Sequence, residues 1–267
     1  MAAYAGKVIV LTGASSGIGR ALARAIAPQR PRLVLAARDQ GRLEEAAKEC
    51  RAYGAEALAV PADVSSEPAC REIVSRGVSA FGSLDVLVHN AGIGMLARFD
   101  QVTDLSVYET LMRVNYLGPV FLTHHALPHL KKSRGQIVVV ASVAGLTGVP
   151  TRTGYSASKH AVFGFFDSLR IELGGTGVSV TMIAPDFVRS EIHRRAFGPD
   201  GRPTGRSPLQ ESKIMSAEAC AALIVRAMEK RQRLVVTSWR GRLGRFVRIF
   251  APGLIDRMAR KAVQSGR

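Results

Sequence analysis

The chain has 267 residues, 47% of them hydrophobic, with 37 basic and 21 acidic side chains for a net charge of +16. That length and apolar content are enough to bury a full core as one domain. No charged-then-apolar leader precedes the first strand and no stretch approaches about 18 consecutive apolar residues, so neither a signal peptide nor a spanning helix is expected.

In chain order, residues 7–12 form a β-branched and aliphatic run too short for a helix, which reads as a buried strand. It runs into Gly13-Ala14-Ser15-Ser16-Gly17-Ile18-Gly19 and then into a helical pattern carried by Ala21, Leu22, Ala25 and Ile26. Further strands are predicted at 32–37, 55–60, 84–89, 136–141 and 178–183. Helices are predicted at about 41–53, 67–81 and 106–131, followed by the helix that carries Tyr155, which ends near Gly174-Gly175. This alternation argues for one α/β domain: a doubly wound, Rossmann-like parallel sheet of about seven strands with helices on both faces. Residues 187–216 break the rhythm with glycines, prolines and arginines and read as a lid over a substrate site. The expected organisation is therefore a dinucleotide-binding and catalytic domain over 1–239 and a C-terminal extension over 240–267.

Two local patterns carry chemistry. Strand, glycine turn and helix N-terminus together make a pyrophosphate site, because glycines allow close backbone approach while free amides and the helix dipole favour an anion. Tyr155 and Lys159 stand four residues apart, one turn apart on a helix face. An ammonium beside a phenol stabilises the phenolate, so Lys159 is expected to lower the Tyr155 pKa and allow proton exchange near neutral pH.

These pieces resemble the short-chain dehydrogenase/reductase family over nearly the whole length. Thr12 to Gly19 matches the family's T-G-x-x-x-G-I-G turn, and Asn90-Ala91-Gly92 matches its N-A-G motif. Asn115, Ser142, Tyr155 and Lys159 match its catalytic tetrad in order and spacing. Pro185 to Ser190 is similar to the segment on the nicotinamide side. Two departures stand out: His89 where an asparagine is common, and Asp186 where a glycine commonly follows the proline.

The resemblance implies hydride transfer between a nicotinamide dinucleotide and a carbonyl or alcohol. Tyr155 would be the general acid/base and Ser142 would bind the substrate oxygen. Lys159 would tune the tyrosine and bind ribose, and Asn115 would hold a relay water. The implied cofactor contacts are Gly13, Ser15, Ser16, Gly17, Ile18, Gly19, Arg38, Asp63, Val64, Asn90, Ala91, Gly92, Tyr155, Lys159, Pro185, Val188 and Ser190. Arg38, first after the second strand, points to NADP(H), while Asp39 reads as a helix N-cap. The expected substrate is a hydrophobic ketone, aldehyde or alcohol, lipid- or steroid-like, bordered by Val143, Leu146, Val149, Met95, Leu96 and Phe99. A homo-oligomer, dimer or tetramer, is also expected.

No metal site is expected: His125 and His129 share a helical face, but that face supplies no Glu or Asp partner. Cys50, Cys70 and Cys220 are widely spaced and are expected to pack in a reducing, cytoplasmic compartment. From residue 230 onward there are 11 basic residues against the single acid Asp256. Leu243, Phe246, Val247 and Phe250 fall at helical spacing, and Ile255, Met258, Ala259 and Ala262 repeat it after Pro252. A basic amphipathic segment of this kind suits an anionic membrane surface or packing on the protein itself. It lacks interleaved stacking aromatics, which argues against nucleic acid. Two alternatives stay open: a cofactor-binding regulatory or membrane-docking protein of the same fold, and a dehydratase or epimerase built on it.

Overall fold

The apolar runs become the strands of a single sheet, of which Val8–Thr12, Val86–His89 and Gln136–Val140 at the centre are buried on both faces. In the computed structural model, which describes residues 3–207 and 214–264, the strands are β1 (Val8–Thr12), β2 (Arg32–Ala37), β3 (Glu56–Pro61), β4 (Val86–His89), β5 (Gln136–Val140), β6 (Ser179–Ala184) and β7 (Leu234–Val236). Their order is β3-β2-β1-β4-β5-β6-β7, with every neighbouring pair parallel. The helices are α1 (Gly17–Ile26), α2 (Gln40–Ala52), α3 (Glu67–Phe81), α4 (Ser106–Met112), α5 (Gly118–Ser133), α6 (Thr153–Glu172), α7 (Ala217–Glu229), α8 (Trp239–Phe250) and α9 (Pro252–Gln264).

The two-residue period of a strand sorts side chains between the layers. Val8, Val10, Leu87, Ile137 and Val139 pack under α3, α5 and α6 with Ile73, Leu122 and Phe166. Ile9, Leu11, Val88, Val138 and Val140 pack under α1, α2 and α7 with Leu22, Leu43 and Ile224. Asp39 caps α2 as expected, its Oδ1 accepting from the Arg42 amide at 3.0 Å. All three cysteines are free and buried, and burial raises their thiols to about 11 for Cys50 and about 12 for Cys70 and Cys220.

Three expectations need amendment. The helix predicted over 106–131 is broken between α4 and α5 by a π-helical turn, Arg113–Leu117, with Asn115 at its centre. An extra residue in a helical turn re-aims its side chains and is frequent at functional sites. Six strands had clear sequence signals, whereas β7 has only three residues and lies at a sheet edge. The predicted lid contributes isolated bridges, Val188 with Met215 and Phe197 with both Met95 and Pro203, and its residues 208–213 lie outside the described part. No helix among the described residues is long and apolar enough to cross a membrane.

His89 ends β4 in a buried setting. Its Nε2 lies 2.8 Å from the Thr123 hydroxyl and its ring packs on Phe166 at 5.3 Å between centroids. Burial lowers its pKa to about 3, so the folded protein holds it neutral. The unfolded chain protonates it near the ordinary value of about 6.5, so stability is complete above that pH and falls as pH drops below it. Between pH 6.5 and 5 this residue alone should cost about 2 kcal/mol of unfolding free energy, at about 1.4 kcal/mol per pH unit. Urea unfolding across that window should show the loss in wild type, and His89→Asn should flatten it by one proton.

Candidate active site

Parallel strands place all their carboxyl ends on one edge, and the chain reverses its winding between β1 and β4. At such a switch point two loops diverge and leave a crevice. Here the crevice is a cleft of about 880 Å³ that begins at the glycine turn after β1 and extends to Ser142, Tyr155 and Lys159.

The glycine turn is built for close approach. Gly13 has φ +67, and a Cβ at Gly19 would lie 2.1 Å from the Gly13 carbonyl oxygen, so both positions need glycine. Ser16 precedes α1 without a side-chain cap, so the first amides of α1 have no acceptor from it. Asn90 fastens this turn to β4: its Nδ2 donates to the carbonyls of Thr12 (3.0 Å) and Gly13 (3.2 Å). The Thr12 hydroxyl accepts from the Asn90 and Ala91 amides, both at 3.1 Å, and donates to the Val88 carbonyl.

Most of the predicted residues line this one cleft: Gly13, Ser15, Ser16, Gly17, Ile18, Arg38, Asp63, Val64, Asn90, Ala91, Gly92, Ser142, Tyr155, Lys159, Pro185, Val188 and Ser190. Gly19 and Asn115 do not. Gly19 sits behind the turn, and Asn115 is buried below the Gly92 loop. The Asn115 side chain is wholly engaged: Oδ1 accepts from the Ile93 amide at 2.9 Å, while Nδ2 donates to the Ile93 carbonyl and the Ser158 hydroxyl, each at 3.0 Å. It therefore clamps the loop that follows Asn90-Ala91-Gly92.

Arg38 is exposed at the cleft rim and has no ion-pair partner among the described residues. Asp39 is turned to its cap and to Arg42. Arg20, which also follows the turn, is consumed by Glu49 through contacts of 2.7 and 3.2 Å. Arg42 bonds Glu191 at 2.9 Å and so ties the start of α2 to the segment after β6. Asp186 turns its carboxylate onto the Phe187 amide, and its own amide donates to Thr237.

At the inner end, Ser142 follows β5 and its hydroxyl accepts from the Ala144 amide at 3.1 Å. Tyr155 and Lys159 lie on the first turns of α6, both buried. The Lys159 ammonium donates to the Val140 carbonyl at 3.3 Å and lies 5.8 Å from the Tyr155 ring centroid. Burial lowers its pKa to about 8. The expectation that Lys159 lowers the Tyr155 pKa is corrected: burial raises the phenol, opposed by a hydrogen bond with Ser142 and the charge of Arg152.

The apolar border differs from expectation as well. Val143 and Val149 line the cleft, but Met95 is buried in a side cluster and Phe99 is exposed away from it. Arg152, Phe187, Ile192, His193 and Phe197 stand there instead. The sequence carried one signal for Arg152, its position three residues before Tyr155. His125 meets Glu67 of α3 at 3.0 Å, a partner that comes from another helix.

Comparison with known proteins agrees with this architecture. The chain matches the short chain dehydrogenase family over residues 7–199. It is 36% identical over 258 residues to 11-beta-hydroxysteroid dehydrogenase A of Sesamum indicum, covering 94% of this chain and 74% of that protein. With 11-beta-hydroxysteroid dehydrogenase 1A of Arabidopsis thaliana it shares 38% identity over 242 residues, 88% of this chain and 69% of the other. A short-chain dehydrogenase/reductase of Burkholderia phymatum, solved with NAD, superposes with a TM-score of 0.84 at 29% identity, covering 95% and 96% of the two chains. Sheet order, site motifs and these likenesses lead to one conclusion: the chain belongs to the short-chain dehydrogenase/reductase family.

Proposed function

We propose that this protein is an NADP(H)-dependent oxidoreductase that interconverts a largely hydrophobic ketone or aldehyde with its alcohol. The observation that carries the reading is the meeting of Ser142, Tyr155 and Lys159 at one end of a cleft whose other end is the glycine turn. The cleft fits a dinucleotide, because its turn rejects any Cβ at Gly13 or Gly19 and the helix behind it begins without a side-chain cap. Gly13 to Ile18 would hold the pyrophosphate, Asp63 and Val64 the adenine, and Lys159 the nicotinamide ribose. Pro185, Val188 and Ser190 would border the nicotinamide. When bound, the dinucleotide supplies or accepts the hydride.

The remaining chemistry belongs to the side chains. Tyr155 gives a proton to the substrate oxygen in reduction and takes one in oxidation. Ser142 donates to the same oxygen and stabilises its developing charge. Lys159 is held close to neutrality by burial, so it loses or regains a proton at little cost near pH 8. Asn115 acts by fixing the Gly92 loop rather than by touching the substrate. The segment after β6 serves as the substrate lid, latched to α2 through Arg42 and Glu191.

Two features support NADP(H) over NAD(H). Arg38 offers an uncompensated cation where a 2′-phosphate would lie, and Asp39 spends its carboxylate on the α2 cap. The C-terminal helices support a second element of the reading, docking on an anionic membrane. Trp239, Leu243, Ile249, Phe250 and Leu254 are all more than half exposed, on a segment rich in arginine. The proteins similar to this chain include 11-beta-hydroxysteroid dehydrogenases, which favours a lipid-like substrate.

Tyr155→Phe should bind NADPH as wild type does while losing at least about 100-fold in kcat, the usual worth of a positioned acid. Turnover against a carbonyl panel and NADPH fluorescence titration check the two halves, and residual activity near wild type would overturn the role. Arg38→Asp should move the ratio of kcat/KM values from NADPH toward NADH. An unchanged ratio would mean that Arg38 does not meet the phosphate.

The full chain should sediment with phosphatidylserine-containing vesicles and be released by salt, each basic side chain near the surface being worth about 1 kcal/mol. Phe250→Asp should weaken sedimentation with the melting temperature unchanged. A lower melting temperature without any change in sedimentation would instead assign the helices to packing or to an oligomer.

A further inference from the structure

The substrate end of the cleft holds a second buried cation besides Lys159. Arg152 is only 8% exposed and lines the cleft three residues before Tyr155. Among the described residues it has no carboxylate partner. Its guanidinium lies instead 5.7 Å from the ring centroid of Phe187. A cation–π contact of this kind compensates a desolvated charge less fully than an ion pair does. Burial accordingly pulls the Arg152 pKa down.

Two further costs fall on the turn that carries this residue. Arg152 is the N-cap of α6, where the helix dipole is positive, and it offers no capping side chain. A cation there is repelled by the dipole, whereas an anion would be attracted. The preceding residue, Thr151, has φ +65, a region that β-branched residues rarely enter. Its carbonyl is held by the Ala97 amide at 2.9 Å, so the turn that presents Arg152 is fixed from outside. Burial without an ion pair and the helix dipole bear on the Arg152 side chain, and backbone strain bears on the residue that presents it to the cleft.

The other cleft charges do not relieve it. Glu191 is taken by Arg42 and Arg195, and the Asp186 carboxylate by the Phe187 amide. Arg195 and Arg113 already have carboxylate partners, Glu191 and Glu109. Arg152 thus brings to the substrate side of Tyr155 a positive charge that has no carboxylate partner among the described residues, on a planar fork of donors. A carboxylate matches both its charge and its shape.

We propose that Arg152 is a substrate-recognition residue that binds a carboxylate, so that the preferred substrate is a hydrophobic oxo acid or hydroxy acid rather than a neutral carbonyl compound. The apolar side chains of Val149, Phe187 and Phe197 receive the body of the molecule. The carboxylate sits between the guanidinium and the N-terminus of α6, and the reacting oxygen reaches Tyr155 and Ser142. The proposal rests on the oxidoreductase reading for the position of the reacting oxygen, but not for the carboxylate site.

Binding and turnover separate the two. Phenylbutyrate and phenylbutyramide contain no ketone or aldehyde carbonyl and differ at the group that Arg152 would meet. Titrated into the full chain with NADPH, and again without it, the acid should bind at least about 10-fold more tightly than the amide, as a charge-assisted hydrogen bond implies. Arg152→Gln should abolish that preference, and Arg152→Lys should keep part of it. In turnover, benzoylbutyrate should be preferred over its methyl ester in wild type. The glutamine variant should raise KM for the acid about 10-fold with little change for the ester.

Equal binding of acid and amide by wild type would overturn the proposal whether or not any variant folds. So would a glutamine variant that loses turnover of acid and ester alike while retaining the binding preference, since Arg152 would then act only on Tyr155. Acid-selective binding without turnover of either ketone would leave the carboxylate site standing and count against the oxidoreductase reading.

Discussion

Adjacency of β1 and β4 is the constraint on which the rest of the site depends. These strands are distant in sequence yet paired from Ile9 with Val86 to Leu11 with Val88. Their loops therefore leave the sheet side by side, and the Thr12–Asn90 hydrogen bonds lock them together. A Cβ at Gly13 would lie 2.8 Å from Asn90 Nδ2, so the turn can be this tight only because that residue is glycine. Hydrophobic burial holds the strands, but polar bonds at their ends set the shape of the cleft. Loss of either would leave a sheet without a defined crevice.

Electrostatics at the inner end follow from depth. Tyr155, Lys159 and Arg152 are all buried, and burial moves each toward its neutral form: the phenol up and the two bases down. The groups oppose one another only in part, because Lys159 turns to the Val140 carbonyl and Arg152 stacks on Phe187. The inner end of the cleft thus holds a protonated phenol close to two buried basic side chains.

Much of this was legible in the sequence, for physical reasons that differ by element. The first six strands were readable because each, including β3 at the sheet edge, is a largely apolar run of four to six residues, and the glycine turn because few residue types tolerate its backbone. β7 was not, since three residues at an edge, two half-buried and one buried, are too few to carry a period. The π-helical turn at Asn115 escaped because one extra residue leaves the apolar pattern almost intact. Arg152 escaped because burial of a charge depends on what the segment after β6 places over it, and Phe187 is 35 residues away. The apolar border was misassigned for a similar reason: Met95 and Phe99 are near the motif in sequence, yet Met95 bridges to Phe197 and is buried in a side cluster while Phe99 is exposed. The direction of the Tyr155 shift was likewise hidden, because desolvation is a property of the packed site and not of residue spacing.

The C-terminal helices are not an independent appendage. Ser238 caps α8 by accepting from the Gly241 amide, and a Cβ at Gly241 would come within 2.9 Å of both Val236 of β7 and Val143. Arg242 donates to the Val236 carbonyl at 3.0 Å, and Arg248 donates to the Leu146 carbonyl at 2.6 Å. Val143 immediately follows Ser142, so the loop that forms one wall of the cleft is also the seat of α8. Whatever surface receives the exposed side of α8 is therefore mechanically connected to the residue next to the proposed oxygen-binding serine. Displacement of α8 would remove the close backbone approach of Gly241 to Val143 and the Arg248 donor from the Leu146 carbonyl, loosening the cleft wall without touching Tyr155 or Lys159. The Val143 end of the cleft is the part most exposed to that change, while the glycine turn is tied separately through Thr12 and Asn90.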